Sequence, residues 1–189
     1  MRSPSNDEIL DAADALFYAR GVQTVGMDEL RTASGASLKR LYQEFPSKEA
    51  LVAAWLRRRD AAWRARLAAH VDRVEEPRAR VLAVFGWLAE WFAEPDFRGC
   101  AFVNAFGELG ATSAAVAAEA RRHKELFAGY VRDLVTAAGG SPSLSTQVFV
   151  LAEGAIVTAA VLGTPDAARS AREAAAVLLD GSGGAARFR

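Results

Sequence analysis

The segment Ser37-Leu38-Lys39-Arg40-Leu41-Tyr42-Gln43-Glu44-Phe45 interleaves hydrophobic, cationic and amide side chains at helical spacing. Leu41 and Phe45 stand at i and i+4, so they share one helical face and are the residues able to anchor it. Lys39, Arg40 and Gln43 then point outward. Lysine and arginine donate to the O6 and N7 acceptors of guanine, and glutamine matches the donor and acceptor edge of adenine. A solvated charged face has the same composition and, from these residues alone, is the simpler account. Net charge does not favour DNA, because 23 Lys and Arg balance 23 Asp and Glu. Any nucleic-acid surface must therefore be a local patch. Within residues 1–48, the cations Arg2, Arg20, Arg31, Lys39, Arg40 and Lys48 face the acids Asp7, Glu8, Asp11, Asp14, Asp28, Glu29 and Glu44. Asp7, Asp11 and Asp14, however, belong to a separate, earlier helix. Arg57-Arg58-Arg59, with Arg64 and Arg66, is the densest basic run. It begins too far along the chain to share a groove with Lys39, so solvation or a bridge to Asp7 or Asp11 is expected.

Catalytic chemistry finds little support. The chain has two histidines, His70 and His123, and one cysteine, Cys100. It carries no Gly-x-Ser-x-Gly, no glycine-rich phosphate loop and no cluster with metal-ligand spacing. No enzyme activity, cofactor or metal is expected. Cys100 has no second cysteine to resolve a redox cycle. A content of 51% hydrophobic and 24% charged residues is ordinary for a globular protein. The polar start Ser3-Pro4-Ser5-Asn6-Asp7-Glu8 and the shortness of the most apolar run, Ala155 to Leu162, suggest a cytoplasmic protein with no membrane partner.

The elements that position these residues are all helical. Ser5 with Glu8 forms a capping-box signature, and Ile9, Ala13, Leu16 and Phe17 lie on one face of the helix that follows. Gly21 ends it. A short helix runs from Met27 to Ser34, Gly35 turns the chain, and Ser37 caps the next, which ends before Pro46. This spacing is that of a helix-turn-helix. Longer helices are expected over 47–74, 78–93, 100–109, 113–138, from Ser143 to Gly163, and from a Thr164 cap with Pro165 to Gly181. The tail from Ser182 is expected to fray. The sum is an all-α, nine-helix chain: a three-helix head over residues 1–50 and a second helical domain over 51–189.

The stretch from Ile9 to Leu51 resembles the DNA-binding domain of the TetR family. The matching residues are Ile9-Leu10-x-Ala12-Ala13-x-x-Leu16-Phe17, Gly21, Leu30-x-x-Ala33-x-Gly35-x-Ser37, and Leu41-Tyr42-x-x-Phe45-x-Ser47-Lys48-x-x-Leu51. The nine-helix layout also looks like that family. The resemblance implies that the Ser37–Phe45 helix enters the major groove. It implies a groove-facing Leu38 suited to a thymine methyl. It also implies phosphate contacts from Tyr42 and Lys48, assisted by Thr24 and Ser37 and their backbone amides. The chain departs from the family pattern at Gly26, where Ser or Thr usually caps, at Arg31, usually alanine, and at Glu44, usually histidine. An acid at Glu44 would repel phosphate.

The resemblance further implies a small-molecule effector and a homodimer. Candidate effector residues are the aromatics Trp63, Trp87, Trp91, Phe102, Phe106, Phe127 and Phe149, with Asn104 and Glu108 as polar groups. The aromatics are equally what a packed core contains. The polar stripe Cys100, Asn104, Glu108 fits solvent, a satisfied core or a cavity wall. Ala152, Ala155 and Ala159 along one side of the eighth helix, and Ala171, Ala174 and Leu178 along one side of the ninth, are the residues that the resemblance places across a two-fold axis, where the alanines permit close approach. The expected activity is that of a repressor binding a palindromic operator as a dimer and released by an apolar or aromatic effector. A helical small-molecule carrier, an activator and a regulator controlled by a protein partner are the alternatives.

Overall fold

The computed structural model describes residues 4–184. Among them are nine α-helices and no strand: α1 Asn6–Arg20, α2 Met27–Ser34, α3 Leu38–Glu44, α4 Lys48–Val71, α5 Pro77–Phe92, α6 Ala101–Leu109, α7 Ala114–Ala137, α8 Pro142–Leu162 and α9 Asp166–Gly184. Local chemistry accounts for most of the ends. Ser5 and Glu8 form the reciprocal capping box of α1. Gly35 ends α2 in the left-handed region at φ 68°, where a Cβ would be strained. Ser37 caps α3 by accepting from the Arg40 amide. Glu76 caps α5, and its carboxylate accepts from the amides of Arg78 and Ala79.

Several boundaries differ from expectation, among them the end of α4, at Val71 rather than 74, and the start of α9, at Asp166 rather than Pro165. Ser141, not Ser143, caps α8, because Pro142 then takes the first helical position, where its missing N–H costs nothing. The last helix passes Gly181 and continues to Gly184, since a single glycine weakens a helix without ending it. The part of the expected frayed tail at 185–189 lies outside the described residues.

The chain divides into two compact units. One runs to Ala61 and includes Cys100–His123; the other comprises Ala62–Gly99 and the chain from Lys124 onward. Helices α4 and α7 therefore contribute to both. The expected division at 50/51 follows the order of the chain, whereas the first unit also takes in α6 and the start of α7.

In the first unit Ile9, Phe17, Leu30, Leu41, Leu51 and Trp55 are buried. Phe17 meets Trp55 edge-on at 5.3 Å, and the Trp55 indole donates to Asp14 Oδ1 at 2.5 Å. Asp60 and His123 are both 2% exposed. His123 Nδ1 lies 2.8 Å from Asp60 Oδ1, and the imidazole stacks on Phe102 at 3.7 Å and 5°. Burying such a pair is tolerable because each group satisfies the other.

In the second unit α8 packs on α9, and α5 packs on both. Trp63 meets Trp87, Trp91 and Phe127 edge-on at 4.8, 5.7 and 5.1 Å, arrangements that the ring quadrupoles favour. Helix α8 has the length and composition to cross a membrane, with a mean hydropathy of 1.6. This goes beyond the short apolar run expected. Ala152, Ile156 and Ala159 on it are buried against protein, whereas Val150, Val157, Val161 and Leu162 are exposed.

Replacing Asp60 by alanine removes the carboxylate that pairs with His123 Nδ1. We expect a loss of about 3 kcal/mol in unfolding free energy, measurable by urea denaturation. Asp60→Asn, which can still hydrogen bond, should lose less.

Candidate nucleic-acid interface

Helix α3 has seven residues, too few to be stable alone. Leu41, fully buried, and Phe45, 7% exposed, hold it in place. With that phase set, Lys39, Tyr42 and Gln43 are exposed, and Leu38 is 36% exposed. Leu38 thus lies on the outer side of α3. The Ser37 hydroxyl accepts from the Arg40 amide at 3.1 Å. Thr24 lies nearby in the chain, with its hydroxyl donating to the carbonyls of Arg20 at 2.8 Å and Gly21 at 3.2 Å. Lys48 Nζ donates to the Gln23 carbonyl at 3.4 Å, which draws the start of α4 toward the α1–α2 turn. Gly26 precedes α2 without a side-chain cap.

Arg40 is disposed differently from expectation. It is half-buried and pairs with Glu44 on the next turn, so its guanidinium is not extended beside Lys39. Of the basic run, Arg58 donates to Asp11 Oδ1 at 2.7 Å and to the Asp7 carbonyl at 3.0 Å. Arg59 pairs with Asp14 at 2.6 Å and lies over the Tyr18 ring at 3.6 Å. Arg57 reaches Glu119 at 2.7 Å. The run is thus a set of bridges from α4 to α1 and α7.

Glu108 occupies a place that sequence reasoning missed. Its carboxylate accepts from the backbone amides of Val22 at 3.2 Å and Gln23 at 2.7 Å, and the Gln23 side chain donates back to the Glu108 carbonyl at 2.5 Å. The end of α6 therefore closes the turn between α1 and α2. Gly21 permits this approach: its φ is 84°, and a Cβ there would stand 2.9 Å from Glu108 Oε1. No local signal links residues 85 and 86 positions apart.

The other expected effector residues separate into groups. Trp63, Trp87, Trp91 and Phe127 form the buried cluster of the second unit, and Phe149 joins through Phe127 at 5.6 Å. Phe102 instead stacks on His123 in the first unit. Asn104 and Phe106 are on the exposed side of α6, Phe106 being 53% exposed. Cys100 is buried and forms no disulfide among the described residues. Among the described residues no group of three or more His, Cys, Asp or Glu is placed to hold a metal ion.

The expected small-residue dimer stripe needs correction. Ala152, Ala155 and Ala159 are 0–4% exposed and Ala171 is 8% exposed within a single chain. Their small size lets α8 and α9 approach each other, so they are not available to a second copy. Ala174 and Leu178 remain half-exposed. The apolar residues left outward are Val150, Val157, Val161, Leu162 and Val177.

Helices α2 and α3 thus form a helix-turn-helix, with a buried hydrophobic anchor behind a polar outer face on α3. Comparison with known proteins agrees. Residues 9–55 match the model of bacterial regulatory proteins of the tetR family. The chain is 38% identical over 76 residues to an uncharacterized HTH-type transcriptional regulator of Mycobacterium tuberculosis, a match covering 40% of this chain and 38% of that protein. The crystal structure of a TetR-type regulator from Streptomyces avermitilis matches with a TM-score of 0.81 and 29% identity, over 96% of this chain and 98% of that one. A TetR-family regulator from Streptomyces coelicolor has the same fold, with a TM-score of 0.85, 24% identity, and 93% and 94% coverage. Residues 9–55 are thus similar to the DNA-binding segment of tetR-family regulators, and the chain as a whole shares the fold of solved TetR-type regulators.

Glu108→Ala should free the turn it closes. Loss of charge-assisted bonds to two amides is expected to cost roughly 1–2 kcal/mol locally. Hydrogen exchange at Val22 and Gln23 should accelerate about tenfold or more, while amides in α8 keep their rates.

Proposed function

We propose that this chain is a dimeric repressor that binds a palindromic operator and is released by an apolar or aromatic small molecule. The observation that carries the reading is the outward row Lys39, Tyr42 and Gln43 on a helix whose phase is locked by Leu41. Lys39 and Gln43 are assigned base edges, Leu38 a thymine methyl, and Tyr42 and Lys48 phosphates, with Thr24, Ser37 and the amide ends of α2 and α3 assisting. Residues 1–50 act as the head and 51–189 as the sensing and dimerising portion, in the cytoplasm.

Dimerisation is assigned to the outer faces of α8 and α9. Val150, Ala174, Val177 and Leu178 border one open apolar groove there, and a second copy would cover it in an isologous contact. The effector is assigned to the aromatic region around Trp63, Trp87, Trp91, Phe127 and Phe149. Coupling would run through α4, which begins just past α3 and contributes to both units. A coupling of about 1–3 kcal/mol would weaken operator binding roughly 5- to 150-fold.

Selection from a random duplex library tests the reading. The recovered sites should be palindromes with half-sites about 34–36 Å apart, or multiples of that spacing. Lys39→Ala with Gln43→Ala should reduce discrimination among them by roughly 1–3 kcal/mol per contact. A library from which the full chain enriches no sequence would refute the assignment.

A second prediction concerns assembly. Val157→Asp with Val177→Asp places charge on the outer faces of α8 and α9 without touching their buried alanines. The variant should sediment as a folded monomer where the wild type sediments as a dimer.

A further inference from the structure

We propose that Glu44 is a built-in attenuator of DNA affinity, holding Arg40 against the start of α1 and so withholding one cation of α3 from the duplex. The inference rests on the DNA-binding reading above and goes beyond it. Three side chains close a ring. Arg40 Nη1 donates to Glu44 Oε1, Arg40 Nη2 donates to Asn6 Oδ1 at 3.2 Å, and Asn6 Nδ2 donates to Glu44 Oε2 at 2.6 Å. The Arg40 and Glu44 side chains are only 32% and 27% exposed. Arg40 Nε is buried with no hydrogen-bond partner among the described residues, so the guanidinium is folded back along its own helix rather than extended. Asn6, in the first turn of α1, is what turns a simple i, i+4 pair into a three-point clamp.

The consequence is electrostatic. Lys39, Arg40 and Glu44 sum to one positive charge on α3, and the clamp neutralises the arginine locally. When DNA approaches, the Glu44 carboxylate also repels phosphate, so it acts twice, once on Arg40 and once on the duplex. Each phosphate neutralised by a protein cation releases counterions and steepens log K against log salt by about 0.9. A cation withheld removes that increment.

The test uses the full chain, its selected operator and a short mixed-sequence duplex. Glu44→Gln keeps the shape and a hydrogen-bonding oxygen for Asn6 but removes the charge. It should tighten binding to both duplexes and steepen the salt slope by about 0.9. The gain should therefore be about threefold larger at about 50 mM than at about 200 mM salt. Arg40→Ala, made in the wild type and in the Glu44→Gln background, closes a double-mutant cycle. Its cost should be at least threefold greater in the Glu44→Gln background. Circular dichroism and melting of each variant establish that the head is folded.

Wild-type binding with no tightening in folded Glu44→Gln, or an equal Arg40→Ala cost in both backgrounds, would overturn the attenuator and leave the DNA reading standing. If neither wild type nor Glu44→Gln binds either duplex at low salt, the DNA reading fails, and this inference fails with it.

Discussion

The burial of Leu41 is the contact on which the head depends. A helix as short as α3 gains too little from its own hydrogen bonds to offset the entropy of ordering it. It persists because one fully buried leucine fixes both its position and its rotation about its axis. Rotation is the decisive quantity for a reading helix. A change of one residue in phase, about 100°, would turn Lys39 and Gln43 away and bring Arg40 and Glu44 out. The left-handed Gly35 and the Ser37 cap bring α3 in close behind α2. Phe45 closes its other end, its amide donating to the Leu41 carbonyl at 2.8 Å.

Electrostatics in this chain are mostly internal. The arginines of α4 bridge to acids on α1 and α7, Arg20 pairs with Glu29 on α2, and Arg78 reaches Asp180 at 2.6 Å. Exposed pairs of this kind contribute little stability each, but they keep cations from forming a broad positive field. In a neutral chain with cations paired in this way, attraction to a polyanion would have to come from a few well-placed groups.

What could be read from sequence was what is set by neighbours a turn apart. The capping box at Ser5 and Glu8, the glycine after α2, the Ser37 cap and the i, i+4 anchors Leu41 and Phe45 are local, and the first three helices matched them within about a residue. Features set by tertiary pairing stayed hidden. Asp60 and His123 are 63 positions apart, and nothing near either one names the other. Glu108 fitted a polar stripe on an apolar helix, a pattern compatible with solvent, core or cavity, and its carboxylate went to backbone amides, which have no sequence signature. The alanines of α8 and α9 were ambiguous for a related reason. A small side chain permits close approach but does not specify whether the approaching helix is in the same chain. The arginine run showed the opposite case, since Asp7 and Asp11 lie on the α1 face that α4 meets, and their bridge to Arg58 could be anticipated from charge.

The closure of the α1–α2 turn by Glu108 bears on what counts as a portable module. The segment matching the family model stops at residue 55, yet two amides of its first turn find their acceptor in α6. The compact unit that contains this turn is therefore larger than the segment matched by the family model. Recombination that grafts such a segment onto a different helical partner must carry a matching acceptor in the incoming sixth helix, or accept a looser hinge at Gly21. Sequence in that helix is thus constrained by the turn between α1 and α2 as well as by its own packing.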